Sequence, residues 1–122
     1  MHDDAWRSYA NAPQRGAIIC PAKKIQEGQT LCIEIISNDD AFPVVIARLN
    51  GLVYCYVNSC PHQYLPLNYR SENIISSDGS RFLCSAHGAA FDIKTGNCLS
   101  GAIDELDAIP VFEDQEGNLR IG

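Results

Sequence analysis

The stretches Cys60-Pro61-His62 and Cys84-Ser85-Ala86-His87-Gly88 decide how this chain is interpreted, because each places one thiol close to one imidazole. The proline stiffens the backbone between the first pair, and the glycine after the second pair lets the chain turn tightly. Residues 63–83 separate the two stretches and contain Asp78-Gly79, a typical hairpin turn. The pattern therefore predicts one metal site built from two loops that a hairpin brings together.

The four candidate ligands are Cys60, His62, Cys84 and His87. Two thiolates and two imidazoles can hold a [2Fe–2S] cluster, with the cysteines on one iron and the histidines on the other. Tetrahedral zinc is the alternative for the same donors, although zinc fingers usually pair Cys with Cys and His with His. His2, near the start of the chain, is interpreted as a solvated side chain.

Composition and charge limit the classes of protein to which the chain can belong. It has 122 residues, 46% of them hydrophobic, which is enough for one domain with its own core and without disulfide staples. We find no apolar run of about 18 residues and therefore expect no insertion into a membrane. The net charge of −6 argues against nucleic acid as a partner. The first residues lack a signal-peptide profile, so we expect a cytoplasmic location.

Short apolar stretches separated by turns predict an all-β domain of antiparallel strands. Asn50-Gly51 is a strong two-residue hairpin signal, and no long segment keeps a helical period. Residues 1–16 are polar and are predicted to form a flexible leader before a domain over 17–122. The predicted strands cover residues 31–36, 44–49, 52–57, 81–84, 89–92, 108–112 and 118–121. Both ligand stretches fall in the loop-rich segment 58–92, which is predicted to be a small cluster-binding subdomain.

The other four cysteines do not resemble a disulfide framework. Cys20, Cys32 and Cys55 lie in apolar, strand-like stretches, and Cys98 follows a turn. A cysteine in such a place commonly behaves as a small buried hydrophobe. We therefore predict that these four are structural thiols.

The chain resembles the Rieske-type ferredoxins, which feed electrons to ring-hydroxylating oxygenases. The resemblance covers roughly residues 18–121. Residues 58–62, 65–67 and 84–92 carry it, with support from Thr95-Gly96, Gly101 and Pro110-Val111. It implies stacked antiparallel sheets, a cluster-binding subdomain and one Rieske [2Fe–2S] cluster. It also implies that Cys60 and Cys84 hold the buried iron, and that His62 and His87 hold the iron nearer the surface.

Two departures from the respiratory Rieske proteins bear on the reduction potential. Those proteins carry one extra cysteine in each loop, joined as a disulfide, where this chain has Leu65 and Ala86. They also carry hydroxyl groups that donate to sulfur, where this chain has Ala89 and Phe91. Because such hydrogen bonds stabilise the reduced cluster, their loss predicts a potential near the low end of the Rieske range, about −150 mV.

The function that the resemblance implies is a low-potential one-electron carrier with no catalysis of its own. It would take electrons from a reductase and pass them to a terminal oxygenase or another redox protein. One alternative is a small Rieske-like subunit of a nitrite-reductase-type complex. The other is the zinc-binding structural module already mentioned.

Overall fold

The computed structural model describes residues 6, 9, 12–37, 40–59, 66–68, 74–85, 89–100 and 105–122. The strands are β1 Ile18–Pro21, β2 Thr30–Ser37, β3 Asp40–Leu49, β4 Leu52–Val57, β5 Arg81–Leu83, β6 Ala90–Asp92, β7 Cys98–Ser100, β8 Val111–Glu113 and β9 Asn118–Ile121. A short 3-10 helix, Ala22–Lys24, follows β1. In these ranges no helix has the length and apolar character that crossing a membrane requires.

The strands form three antiparallel sheets in the orders β1-β9-β8, β2-β3-β4 and β5-β6-β7. The sheet β2-β3-β4 is the middle layer, because both of its faces are buried. Along β3, Val44 and Ile46 point into one core, and Val45 and Ala47 point into another. This alternation is what period-two side-chain geometry produces. The all-β prediction with stacked antiparallel sheets is confirmed.

The first core lies between the middle layer and the sheet β1-β9-β8, and it also includes Trp6. Trp6 is only 1% exposed. Tyr9 packs edge-on against Phe42, with ring centroids 5.8 Å apart, and its hydroxyl donates to Asp107 Oδ2 over 2.7 Å. Two aromatic side chains of the predicted leader are therefore packed on the domain, which the polar composition of residues 1–16 does not reveal.

The predicted Asn50-Gly51 hairpin is confirmed, because β3 and β4 pair up to Leu49 and Leu52 on either side of it. Both turn residues have positive φ, 54° and 80°. The Glu27 carboxylate accepts from the amides of Asn50 and Gly51 at 2.7 and 2.8 Å. The loop before β2 is thereby fastened to the end of the hairpin.

The predicted Asp78-Gly79 turn is also confirmed, and it connects residues 74–76 to β5. Its two arms are paired, since the amide of Ser76 donates to Arg81 O over 3.0 Å. The Asp78 carboxylate accepts from Ser76 Oγ at 2.6 Å and from Ser80 Oγ at 2.8 Å. Hydrogen bonds from Ser76 and Ser80 lower the pKa of Asp78 to about 2.

Candidate metal centre

Of the four predicted ligands, Cys84 belongs to the described residues, and Cys60, His62 and His87 lie outside them. Cys84 directly follows β5 and is only 1% exposed. It belongs to the second core, which lies between the middle layer and the sheet β5-β6-β7. The strand thus delivers one thiol, a suitable iron ligand, into a dry environment.

The described residues on either side of the second ligand segment, residues 84–88, are paired as part of the β5–β6 hairpin. Leu83 and Ala90 are paired in the sheet just before the strands separate. One step further, the amide of Cys84 donates to Ala89 O over 2.8 Å. Cys84 and the segment that carries His87 are therefore bounded by a closed backbone pair.

The side chain of Asn58 joins the residues on either side of the first ligand segment, residues 59–66. This carboxamide is buried, with 5% of the residue exposed. Its Oδ1 accepts from the amide of Leu67 at 2.7 Å, and its Nδ2 donates to Asn68 Oδ1 over 3.0 Å. The amide of Asn58 itself donates to Pro43 O on β3 over 3.0 Å. Both ends of the segment that carries Cys60 and His62 are therefore joined to each other and to the middle layer.

The two segments meet at Leu67. The amide of Ser85 donates to Leu67 O over 2.8 Å, and Ser85 Oγ donates to the same oxygen over 2.7 Å. The flanks of the Cys60 and Cys84 segments therefore lie side by side. Sequence reasoning missed the contributions of Asn58 and Ser85. Their only signal is position, two residues before one predicted cysteine ligand and directly after the other.

The second core around Cys84 contains no hydroxyl at the two positions that bear on potential. Ala89 and Phe91 are both fully buried in that core. An apolar surrounding disfavours a gain of net negative charge, because a buried charge lacks hydration. The described surroundings of Cys84 are therefore apolar at these two positions.

Tyr56 joins the sheet β5-β6-β7 to the middle sheet. Its hydroxyl donates to Ile93 O over 2.6 Å in the buried interior. Its ring packs edge-on against Phe82, with centroids 5.8 Å apart. Since Phe82 lies in β5, two residues before Cys84, Tyr56 sets where the second ligand segment begins relative to the middle sheet.

The remaining described cysteines agree with their predicted structural role. Cys20 and Cys55 are buried in the first core, and Cys32 and Cys98 pack against the second core while partly exposed. Burial raises the pKa of the Cys55 thiol far above its ordinary value. A thiol in this state is a poor ligand and a poor nucleophile.

A surface cleft of about 430 Å³ lies beside the residues that flank the first ligand segment. Its lining comes from β2, from β3 and from both ends of that segment, through Cys32, Ile33, Glu34, Pro43, Asn58, Pro66 and Asn68. Solvent therefore reaches the base of the first segment, whereas Cys84 lies in the dry core.

Comparison with protein families gives one assignment along most of the chain. The family model of the Rieske [2Fe-2S] domain matches residues 16–117. No curated protein sequence matches significantly.

Solved structures share the fold. A complex of reduced oxygenase and oxidized ferredoxin in carbazole 1,9a-dioxygenase contains a chain 23% identical, with a TM-score of 0.67, and the match covers 86% of this chain and 99% of that one. The ferredoxin of carbazole 1,9a-dioxygenase from Nocardioides aromaticivorans IC177 is 20% identical, with a TM-score of 0.64 and coverages of 89% and 95%.

A longer chain in a carbazole-bound oxygenase and ferredoxin complex also matches. It is 20% identical, with a TM-score of 0.68, and the match covers 98% of this chain and 30% of that one. At such identities the likeness concerns the fold.

Proposed function

Because the chain belongs to the Rieske [2Fe-2S] domain family, we propose that it is a one-electron carrier that links a reductase to a terminal oxygenase or another redox protein. The observation that carries this proposal is the meeting of the two ligand segments at Leu67, beside the buried Cys84. A redox carrier needs a fixed, dry ligand set, and the buried Cys84 and the hydrogen bonds at Leu67 support this proposal.

Membership of the family implies one Rieske-type [2Fe–2S] cluster. The residues fit it, since a buried thiol, two converging loops and a set of two cysteines and two histidines suit its mixed ligation. In the proposed site Cys60 and Cys84 bind one iron, and His62 and His87 bind the other. When bound, the cluster accepts and releases one electron at a time.

The remaining residues of the site keep that exchange reversible. The second core excludes water from Cys84, and the Asn58 and Ser85 hydrogen bonds hold the segments in place. Fixed ligands keep structural change small between the two redox states. With Ala89 and Phe91 offering no hydroxyl, the proposed midpoint is near the low end of the Rieske range, about −150 mV.

The partner proposal rests on the two matched ferredoxins, both described as parts of carbazole 1,9a-dioxygenase. By analogy, this chain would act as a dioxygenase component in the cytoplasm. The net charge of −6 favours a basic docking patch on the partner, which would speed encounter and make it sensitive to salt. In this proposal residues 1–16 are a leader to the domain 17–122, and residues 58–92 form its cluster-binding part.

The test is anaerobic purification from iron-replete cells, followed by visible absorption, iron and sulfide analysis, and mixing experiments. We expect a reddish-brown protein that a ferredoxin reductase reduces and that an oxygenase reoxidises in a second mixing step. Stoichiometric zinc without visible absorption would instead support the structural zinc module. Constant co-purification with a large reductase subunit would support the nitrite-reductase-type alternative.

A further inference from the structure

We propose that Asn58 and Ser85 are positioning residues that hold the two ligand segments together through the backbone of Leu67. The claim rests on the proposed function, because it gives these side chains their purpose. They act through the backbone on either side of the predicted ligands.

The argument begins with Leu67, whose backbone is the shared anchor. Its side chain is fully buried in the second core, so its backbone is fixed from below. Its N–H donates to Asn58 Oδ1 at 2.7 Å, and its C=O accepts from Ser85 N and Ser85 Oγ at 2.8 and 2.7 Å. The backbone of one residue is therefore bonded to both sides, because it donates to Asn58 and accepts from Ser85.

Burial raises the free-energy cost of losing the hydrogen bond between Asn58 and Leu67. The bond between Asn58 and the Leu67 amide lies in the interior. If Asn58 becomes alanine, a buried N–H loses its acceptor, and such an orphaned group costs more than an exposed one. The Leu67 backbone then lowers its free energy by shifting toward another acceptor, and the link between Asn58 and Leu67 is lost.

The hydroxyl of Ser85 donates to a backbone oxygen, which its position in the sequence does not suggest. A serine directly after a cysteine ligand is an obvious candidate donor to sulfur. However, a hydroxyl carries a single proton, and Ser85 donates it to Leu67 O. Removing this hydroxyl should therefore loosen the cluster without changing its potential.

The experiment compares Asn58→Ala, Ser85→Ala, Ser85→Thr and the double alanine variant with the wild-type protein. Thr95→Ala is the matched control, since Thr95 Oγ1 donates to Asp92 Oδ2 over 2.8 Å in a turn of the same sheet, away from Leu67. Hydrogen exchange at the amides of residues 67, 68, 84 and 85, followed by mass spectrometry, reports on the hydrogen bonds of Asn58 and Ser85 to Leu67 without any need for metal. Bleaching under a chelator and the midpoint potential report on the cluster.

We expect faster exchange in both alanine variants, and bleaching about tenfold faster in each. Ser85→Thr should stay close to wild type because it keeps the donor. The double variant should bleach less than a hundredfold faster, since both side chains act on one residue. The potential of Ser85→Ala should match wild type.

Wild-type exchange rates in both alanine variants would overturn the proposal. Exchange in Ser85→Thr as fast as in Ser85→Ala would also overturn it. So would a bleaching rate of the double variant equal to the product of the two single effects, or a shifted midpoint potential in Ser85→Ala. A wild-type protein without iron and sulfide would instead contradict the proposed function. The exchange measurement would still decide whether Asn58 and Ser85 hold the backbone of Leu67.

Discussion

Replacing Gly96 with alanine should destabilise the protein far more than the same change at another glycine of equal backbone conformation. Gly96 has φ +76°, and a Cβ built on it would lie 2.7 Å from Tyr56 Cε1 and 3.2 Å from Leu106 O. The Tyr56 ring cannot easily move away, because its hydroxyl is bonded to Ile93 O and the ring packs edge-on against Phe82. Gly79 also has φ +76° but has nothing within 4 Å of its Cβ position.

The two variants separate the cost of conformation from the cost of contact. A non-glycine residue in the left-handed region costs about 1–2 kcal/mol, and Gly79→Ala should show that alone. Gly96→Ala adds overpacking of a dense core, which costs about 1–3 kcal/mol. We therefore expect a loss of about 2–5 kcal/mol in the free energy of unfolding for Gly96→Ala.

Urea denaturation followed by circular dichroism measures both variants, with the slope compared to wild type so that midpoints reflect stability. Gly96→Ala should also lose its visible absorption at lower urea than Gly79→Ala, because Tyr56 supports the β-hairpin that begins the Cys84 segment. Equal losses of stability in the two variants would refute the reasoning, since they would show that the Tyr56 ring yields at no cost.

Three further predictions concern potential, pH and thiol reactivity. Ala89→Ser combined with Phe91→Tyr should raise the midpoint in film voltammetry by placing hydroxyls near Cys84, and an unchanged or lower value would argue against hydrogen bonding as the control. The pKa of Asp78 is about 2 in the folded state against 3.8 ordinarily, so its stabilising effect is complete above about pH 4 and is lost as the pH falls toward 2. Thermal unfolding of Asp78→Asn should therefore depend less on pH across that window than wild type does, and parallel profiles would contradict this. Because burial raises its pKa, the Cys55 thiol should resist iodoacetamide at pH 8 in the folded protein and react in urea, as peptide mass spectrometry would show; rapid labelling of the folded protein would contradict its burial.

Periodicity and turn chemistry predict most of the fold. Asn50-Gly51 places the β3–β4 hairpin, and the apolar runs on either side of it become β3 and β4. The sequence underestimates β3, which begins at Asp40 and runs through Pro43. Pro43 O accepts from Asn58 N on the side of β4, so the missing N–H of the proline points to the same side, where β4 has already ended. The proline therefore costs at most one hydrogen bond, at the end of that ladder.

Residue types and their spacing predict the candidate ligands. They do not predict the residues that support the ligand segments. Cysteine and histidine spacing predicts the ligands, because few other patterns join two thiols and two imidazoles. Nothing in the spacing shows that Asn58 is buried or that Ser85 points to Leu67, since both depend on contacts between segments far apart in the chain. The short strand Cys98–Ser100 was missed for a related reason: its residues are partly exposed and lack alternation.

The central claim is that Cys60, His62, Cys84 and His87 hold one [2Fe–2S] cluster. The most direct test is iron and sulfide analysis of the reduced protein, joined to pulsed electron paramagnetic resonance that detects nitrogen nuclei coupled to the cluster. We predict two irons and two sulfides per chain, with couplings from two imidazole nitrogens. His62→Cys and His87→Cys should each remove one coupling and lower the potential if the cluster assembles, and Cys60→Ser or Cys84→Ser should largely abolish it. Couplings that persist unchanged in both histidine variants would contradict the ligand assignment.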